Sequence, residues 1–129
     1  MIAVTDEPFS PGQILEALRT DASGSVVIHV GIVRPFSEGR TVACIEYQAD
    51  VGAAEEELSR IAADIAARWQ IQDLALCRRT GRLKLGEVIL VAAVSAAHRR
   101  EAFEACQYAV ERLKAMKSIA KREIWEEET

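Results

Sequence analysis

The sequence lacks most of the features that would narrow its chemistry at a glance. Its cysteines, Cys44, Cys77 and Cys106, are odd in number and far apart, with no Cys-x-x-Cys and no Cys/His spacing of a zinc site. That argues against a disulfide framework and fits a reducing cytoplasm. The simplest use for the three is as small buried hydrophobes. No apolar run reaches the roughly 18 residues a membrane span needs. The opening MIAVTDEPFS has neither the basic start nor the apolar stretch of a secretory signal. Neither Gly-x-Gly-x-x-Gly nor Gly-x-x-x-x-Gly-Lys-Ser/Thr occurs, so dinucleotides and nucleoside triphosphates are not indicated. Repeats, low-complexity tracts and long linkers are also missing, which leaves one domain over residues 1–129.

What is present is an ordinary globular composition, 50% hydrophobic and 28% charged, enough to bury a core without staples. The net charge of -4 argues against a nucleic-acid partner, whose affinity rests on neutralised phosphates. The average hides an inversion. From His98 to Arg122, seven Lys/Arg oppose three acids, +4 by difference, whereas Glu123 to Thr129 holds four acids and no base, -4. A basic segment in an acidic chain suits a small anionic ligand. A solvated helix face of mixed charge would have the same composition.

Periodicity and punctuation predict the elements. Ile2 to Thr5 reads as a short strand. Ser10-Pro-Gly-Gln13 is a capping box with proline at the first helical position, opening a helix to about Arg19. Ser25 to Val33 is a strand apolar on both faces, in which His29 reads as a hydrogen-bonded sheet residue. Arg34 to Arg40 is a loop by its proline, serine and glycine, and Thr41 to Ala49 a second strand. Asp50 caps a helix over 51–69 whose stripe is Ala54, Leu58, Ile61, Ile65 and Trp69. Leu74 to Arg78 and Glu87 to Val94 are further strands, joined through turns at Gly81 and Gly86. Ser95 or a neighbour starts a last long helix with Phe103, Cys106, Val110 and Leu113 as its buried seam. The order β-α-β-β-α-β-β-α is an α+β pattern rather than a regular βαβ winding.

Two groups of residues invite chemistry. His98 and Arg99 sit at the start of the last helix, where free N–H groups and the dipole favour an anion. An imidazole beside a guanidinium there would hold a phosphate or donate a proton to a leaving oxygen; the pair also stands as an ordinary helix start. Lys114 and Lys121 lie seven residues apart at the other end. On a continuous helix they would share one side, two turns apart. Cations gathered together can lower a lysine's proton affinity, making one a general base and another a clamp. Lysine at a helix C-terminus also stabilises the dipole with no further role.

The ordered fragments Gly31-Ile-Val-Arg34, Gly39, Val42-x-x-Ile45-Glu46-Tyr47, Gly81-x-Leu83-x-x-Gly86-Glu87, His98-Arg99-x-x-Ala102-Phe103-x-Ala105 and Lys114-x-x-x-x-Ile119-x-Lys121-Arg122-Glu123 resemble the large subunit of molybdopterin synthase, the MoaE family. The resemblance covers most of the chain. It implies a single-domain α+β, hammerhead-type fold with a mixed or antiparallel sheet and two main helices. It also implies a homodimer within a heterotetramer, each end carrying a small ubiquitin-like partner with a thiocarboxylated Gly-Gly C-terminus. The implied activity is transfer of sulfur from that tail to cyclic pyranopterin monophosphate, making molybdopterin in molybdenum cofactor biosynthesis. No metal or organic cofactor is required. By position, Lys114 and Lys121 would be catalytic, Lys114 as general acid/base, while Arg34, His98 and Arg99 would join them in binding the substrate. Where the family usually has Pro and Trp before the second lysine, this chain has Ser118 and Ala120. Without that proline the last helix is expected to run on through Lys117 toward Lys121. The alternative reading is a dimeric pterin- or anion-binding module, or a docking partner of a ubiquitin-like protein, that has lost turnover.

Helix length adds a constraint of its own. His98 and Lys114 are sixteen residues apart, roughly 24 Å along one helix. If both serve one small ligand, they must come from different subunits of a twofold dimer.

Overall fold

The computed structural model describes residues 1–126, with the backbone alone at Phe36 and Ser37. The elements run β1 (Ile2–Thr5), α1 (Pro11–Leu18), β2 (Ser25–Ile32), β3 (Phe36–Ser37), β4 (Arg40–Ala49), α2 (Val51–Trp69), β5 (Leu74–Arg79), β6 (Gly81–Lys84), β7 (Val88–Ala96), α3 (Arg99–Lys114) and β8 (Ile119–Trp125). Two helix starts follow from local chemistry. The Gln13 N–H donates to Ser10 Oγ at 3.3 Å and the Ala53 N–H to Asp50 Oδ1 at 3.1 Å, each serving a donor that the first turn leaves unpaired.

One sheet has the order β1-β5-β7-β2, with β1 parallel to β5 and the other pairs antiparallel. Side chains alternate across it. Ala75, Cys77, Val91 and Ala93 pack with Ile14 and Leu18 of α1. Leu74, Leu76, Leu90, Ala92 and Val94 join the larger core with Leu58, Ile61 and Ile65 of α2 and Leu113 of α3. Helices on both faces explain why β5 and β7 are nearly unbroken apolar runs. In the second sheet β4 is central. It pairs β6 through residues 44–47 and β8 through residues 42–49, and β3 folds back on its start. The outcome is the α+β architecture read from the sequence, with α2 and α3 as the two long helices.

Several local expectations need correction. β7 runs on to Ala96, so α3 starts at Arg99 with His98 as N-cap. α3 does not continue to Lys121. It stops at Lys114, and Ile119–Trp125 becomes β8, which pairs with β4 and buries Ile119 and Ile124. The two lysines therefore share no helix face. Phe103, expected inside, is 61% exposed. The buried stripe is Ala102, Ala105, Cys106, Ala109 and Leu113, all but the last small side chains that let α3 lie close on β2 and β7 and turn Phe103 to the flank. The 34–40 loop contains β3, and the Gly81–Gly86 turn region contains β6. All three cysteines are buried and free, as expected.

Candidate active site

A cleft of about 550 Å³ opens where the first sheet, the end of α3 and the second sheet meet. Its floor is the α3-facing side of β2 and β7, where Gly31 pairs with Leu90 and His29 with Ala92 in cross-strand register. Gly31 keeps that floor low: a Cβ there would lie 3.0 Å from Leu90 Cγ. Ile45 and Tyr47 of β4 and Ile119 of β8 form the opposite wall, and Met116 closes the end below α3. The basic groups at this cleft are His29, Arg34, Arg78, Lys114 and Lys121, and no acidic side chain lines it among the described residues.

Each cation is set by a local device. Arg34 follows Val33, whose N–H donates to the Glu87 carbonyl at 3.0 Å and whose carbonyl accepts from the Gly86 N–H at 2.9 Å. Gly86 makes that turn at φ +84°, a conformation that favours glycine. The Glu87 carboxylate holds the turn by accepting from the Lys84 N–H at 2.6 Å and from Arg79 at 3.2 Å. The β2–β7 register also shifts between Gly31 and Ile32, an irregularity of the kind that re-aims side chains beside a site. The Arg34 side chain is exposed with no partner among the described residues. Lys114 ends α3, immediately after fully buried Leu113. Lys121 lies on β8 opposite Tyr47 and pairs with Glu123, Nζ to Oε1, at 3.0 Å.

Arg34, Lys114 and Lys121 are thus brought together as the sequence suggested. His98 and Arg99 are not. They lie exposed at the other end of α3, about 24 Å away along the helix, and line no part of this cleft.

Three further residues of the cleft were not read from the sequence as site residues. Arg78, 5% exposed, stands on β5 in the cleft wall. Its Nη1 donates to the Leu113 carbonyl at 2.5 Å, its guanidinium lies 5.2 Å from the Tyr47 ring centre, and its Nε has no hydrogen-bond partner among the described residues. Burial lowers its proton affinity, opposed by the charges of Tyr47 and Glu57. An arginine at the end of an apolar strand reads as a solvated strand end, so nothing marks it beforehand. Tyr47 is buried beside it. His29 is in the sheet as expected but is not hydrogen-bonded through Nε2, which is buried and unpartnered. Burial, and then the Lys114 charge, hold its pKa below the ordinary value. A neutral imidazole is therefore the form this floor favours.

Such an arrangement does not by itself choose a reaction. It can hold small anions, and it can stabilise negative charge that grows during a reaction, because fixed cations cost no reorganisation when they act. The chain's relatives narrow the choice. The family model described as MoaE protein matches residues 4–116. The molybdopterin synthase catalytic subunit of Bacillus subtilis is 35% identical over 124 residues, 96% of this chain and 79% of that protein. The crystal structure of molybdopterin synthase from Staphylococcus aureus superposes with a TM-score of 0.89 at 33% identity, covering 95% of this chain and 90% of that one. A complex of subunits 1 and 2 of molybdopterin-converting factor from Helicobacter pylori shares the fold, with a TM-score of 0.77 at 15% identity over 97% of this chain and 85% of that one.

Proposed function

The chain belongs to the MoaE family and serves molybdenum cofactor biosynthesis, and from that premise we propose that it is the sulfur-transferring subunit of a molybdopterin synthase. The observation that carries this reading is the cleft lined by five basic side chains and, among the described residues, no acid. A cyclic pyranopterin monophosphate and a thiocarboxylate tail are both anions, and drawing them together requires fixed positive charge around the reacting atoms. Lys114 and Lys121 are the catalytic pair. Lys114, at the helix end with no ion pair among the described residues, moves the proton as the thiocarboxylate sulfur attacks and substrate oxygen departs. Lys121, steadied by Glu123, orients the pterin or the incoming tail. Arg34 binds the phosphate. In the net exchange two tails act in turn: each passes one sulfur to a substrate carbon and ends as a carboxylate, and the two sulfurs replace two substrate oxygens.

His98 and Arg99 complete the phosphate site from a second copy of the chain. Two α3 helices related by a twofold axis and lying antiparallel bring each N-terminus beside the other's C-terminus. The surface for that contact has the right character. β2 is an edge strand, and the groove between it and α3 carries Val27, Ile28 and Val110 with the exposed Phe103. The partner is a small ubiquitin-like protein whose Gly-Gly thiocarboxylate enters the cleft, giving a heterotetramer. Three free thiols suit a reducing compartment such as the cytoplasm.

The test is reconstitution with the thiocarboxylated partner and the pterin substrate. Lys114→Ala and Lys121→Ala are each expected to slow dithiolene formation by about 10²–10⁴-fold with the fold intact, the cost of losing a positioned acid or base. Wild-type turnover by both variants removes these lysines from the mechanism.

A further inference from the structure

Lys114 ends a helix and Lys121 stands on a strand, so their relation depends on the short connection between α3 and β8. Its first half is held to the helix end: the Ala115 N–H donates to the Arg112 carbonyl at 3.2 Å, the Met116 N–H to the Leu113 carbonyl at 3.5 Å, and Met116 is buried. The restraint on Lys117 and Ser118, which lead into β8, comes from α2. The Glu57 carboxylate accepts three hydrogen bonds from the connection: Lys117 N–H to Oε2 at 3.2 Å, Ser118 N–H to Oε1 at 3.1 Å, and Ser118 Oγ–H to Oε1 at 2.5 Å. On the helix side, Arg78 grips the Leu113 carbonyl one residue before Lys114 and stacks near Tyr47, the cross-strand neighbour of Lys121.

We propose that Glu57 is a positioning residue for the reaction: with Arg78 on the other side, it clamps the α3–β8 connection and sets the placement of Lys121 relative to Lys114. This rests on the reading of the cleft as the sulfur-transfer site. Glu57 lines no part of the cleft and touches no reacting atom. Its action is geometric. A carboxylate with three donors from two successive residues holds the connection's backbone and Ser118 side chain at once. The charge state agrees. Burial pushes the Glu57 carboxyl up, but the Ser118 side chain, the Lys117 and Ser118 N–H groups and the Arg60 charge more than offset it, so its pKa is lowered. The carboxylate is thus kept as an acceptor on all three bonds.

The experiment compares Glu57→Ala, Glu57→Gln and Ser118→Ala in the reconstituted complex and, separately, in the chain without substrate. Misplacing a catalytic group by about 1 Å costs up to roughly 10²-fold in rate. Glu57→Ala is therefore expected to lower kcat about tenfold to a hundredfold, with KM for the pterin substrate changed less than about twofold. Glu57→Gln keeps an acceptor oxygen and should recover most of the loss. Ser118→Ala removes one bond, gives a smaller drop, and carries the test if Glu57→Ala does not fold. In the substrate-free arm, reductive ¹³C-methylation lets NMR follow Lys84, Lys114, Lys117 and Lys121. The Lys121 signal should move in Glu57→Ala while Lys84, on β6, stays. Wild-type kcat in both Glu57→Ala and Ser118→Ala overturns the clamp, and so does a loss of kcat with unmoved lysine signals. If wild-type protein makes no product at all, the sulfur-transfer reading fails, and the lysine signals alone decide whether Glu57 sets the geometry.

Discussion

Mixing two inactive variants should restore activity if the pocket is shared between subunits. The perturbation is His98→Ala in one chain and Lys114→Ala in the other. Within a chain these residues stand sixteen positions apart at opposite ends of α3, about 24 Å along the axis. An arginine or lysine side chain spans only a fraction of that, so one pterin cannot touch both ends of one helix. In a twofold dimer of the two variants, one pocket receives Lys114 from the first chain and His98 from the second and is intact; the other is defective twice. Equal mixing gives about half mixed dimers, hence about a quarter of all pockets restored. Adding a chain with both substitutions to wild type tests the same geometry in reverse. A shared pocket leaves about a quarter of the pockets active and a pocket within one chain about half. Differently tagged chains, checked for exchange by native mass spectrometry, and a product assay supply the readout. Exchanged dimers with no recovered activity would refute the shared pocket.

Other outcomes follow from the same structure. Trimming the partner's last two glycines should abolish transfer even where docking survives, because glycine allows the close backbone approach of a narrow channel; continued transfer would rule out that entry. Burial pushes the Cys77 thiol up to about 11 and raises Cys106 as well, so a thiol reagent at mildly alkaline pH should label these two only on unfolding. Rapid labelling of Cys77 or Cys106 in the native protein would contradict their buried placement. His29 is held below its ordinary pKa, first by burial and then by Lys114. The unfolded chain therefore takes up that proton first as pH falls. The His29 contribution to stability is complete above about pH 6.5 and is lost below it. By NMR, His29 should titrate below about 6.5 and move upward in Lys114→Ala; titration at or above that value would defeat this account of the cleft floor.

Much of the fold was legible because its signals are local. Asp50 and Ser10 mark helix starts by their own hydrogen bonds, and the spacing of Ala54, Leu58, Ile61 and Ile65 states which face of α2 is inside. β8 was not legible. Ile119 to Trp125 is rich in Lys, Arg and Glu, which form helices well, and its strand character comes from pairing with β4, some seventy residues earlier in the chain. Phe103 misled for a related reason. Reading large apolar residues as the seam overlooks alanine, and here alanines let the helix approach the sheet while the phenylalanine stays outside. For the site, Arg34, Lys114 and Lys121 could be placed together only through the family resemblance, since periodicity alone put the two lysines on one helix face. Arg78, Tyr47 and Glu57 could not, since their roles arise from contacts between elements that no local pattern encodes.

The most direct measurement is a single-turnover reaction of the chain with its thiocarboxylated partner and cyclic pyranopterin monophosphate, following both reactants by mass spectrometry. The account predicts that two partner tails per pterin each exchange sulfur for oxygen while the pterin gains two sulfurs and becomes the dithiolene, and that both changes are slowed together in Lys114→Ala. A tail that keeps its sulfur while the pterin sits bound and unchanged would contradict it, leaving a cleft that binds anions without transferring sulfur.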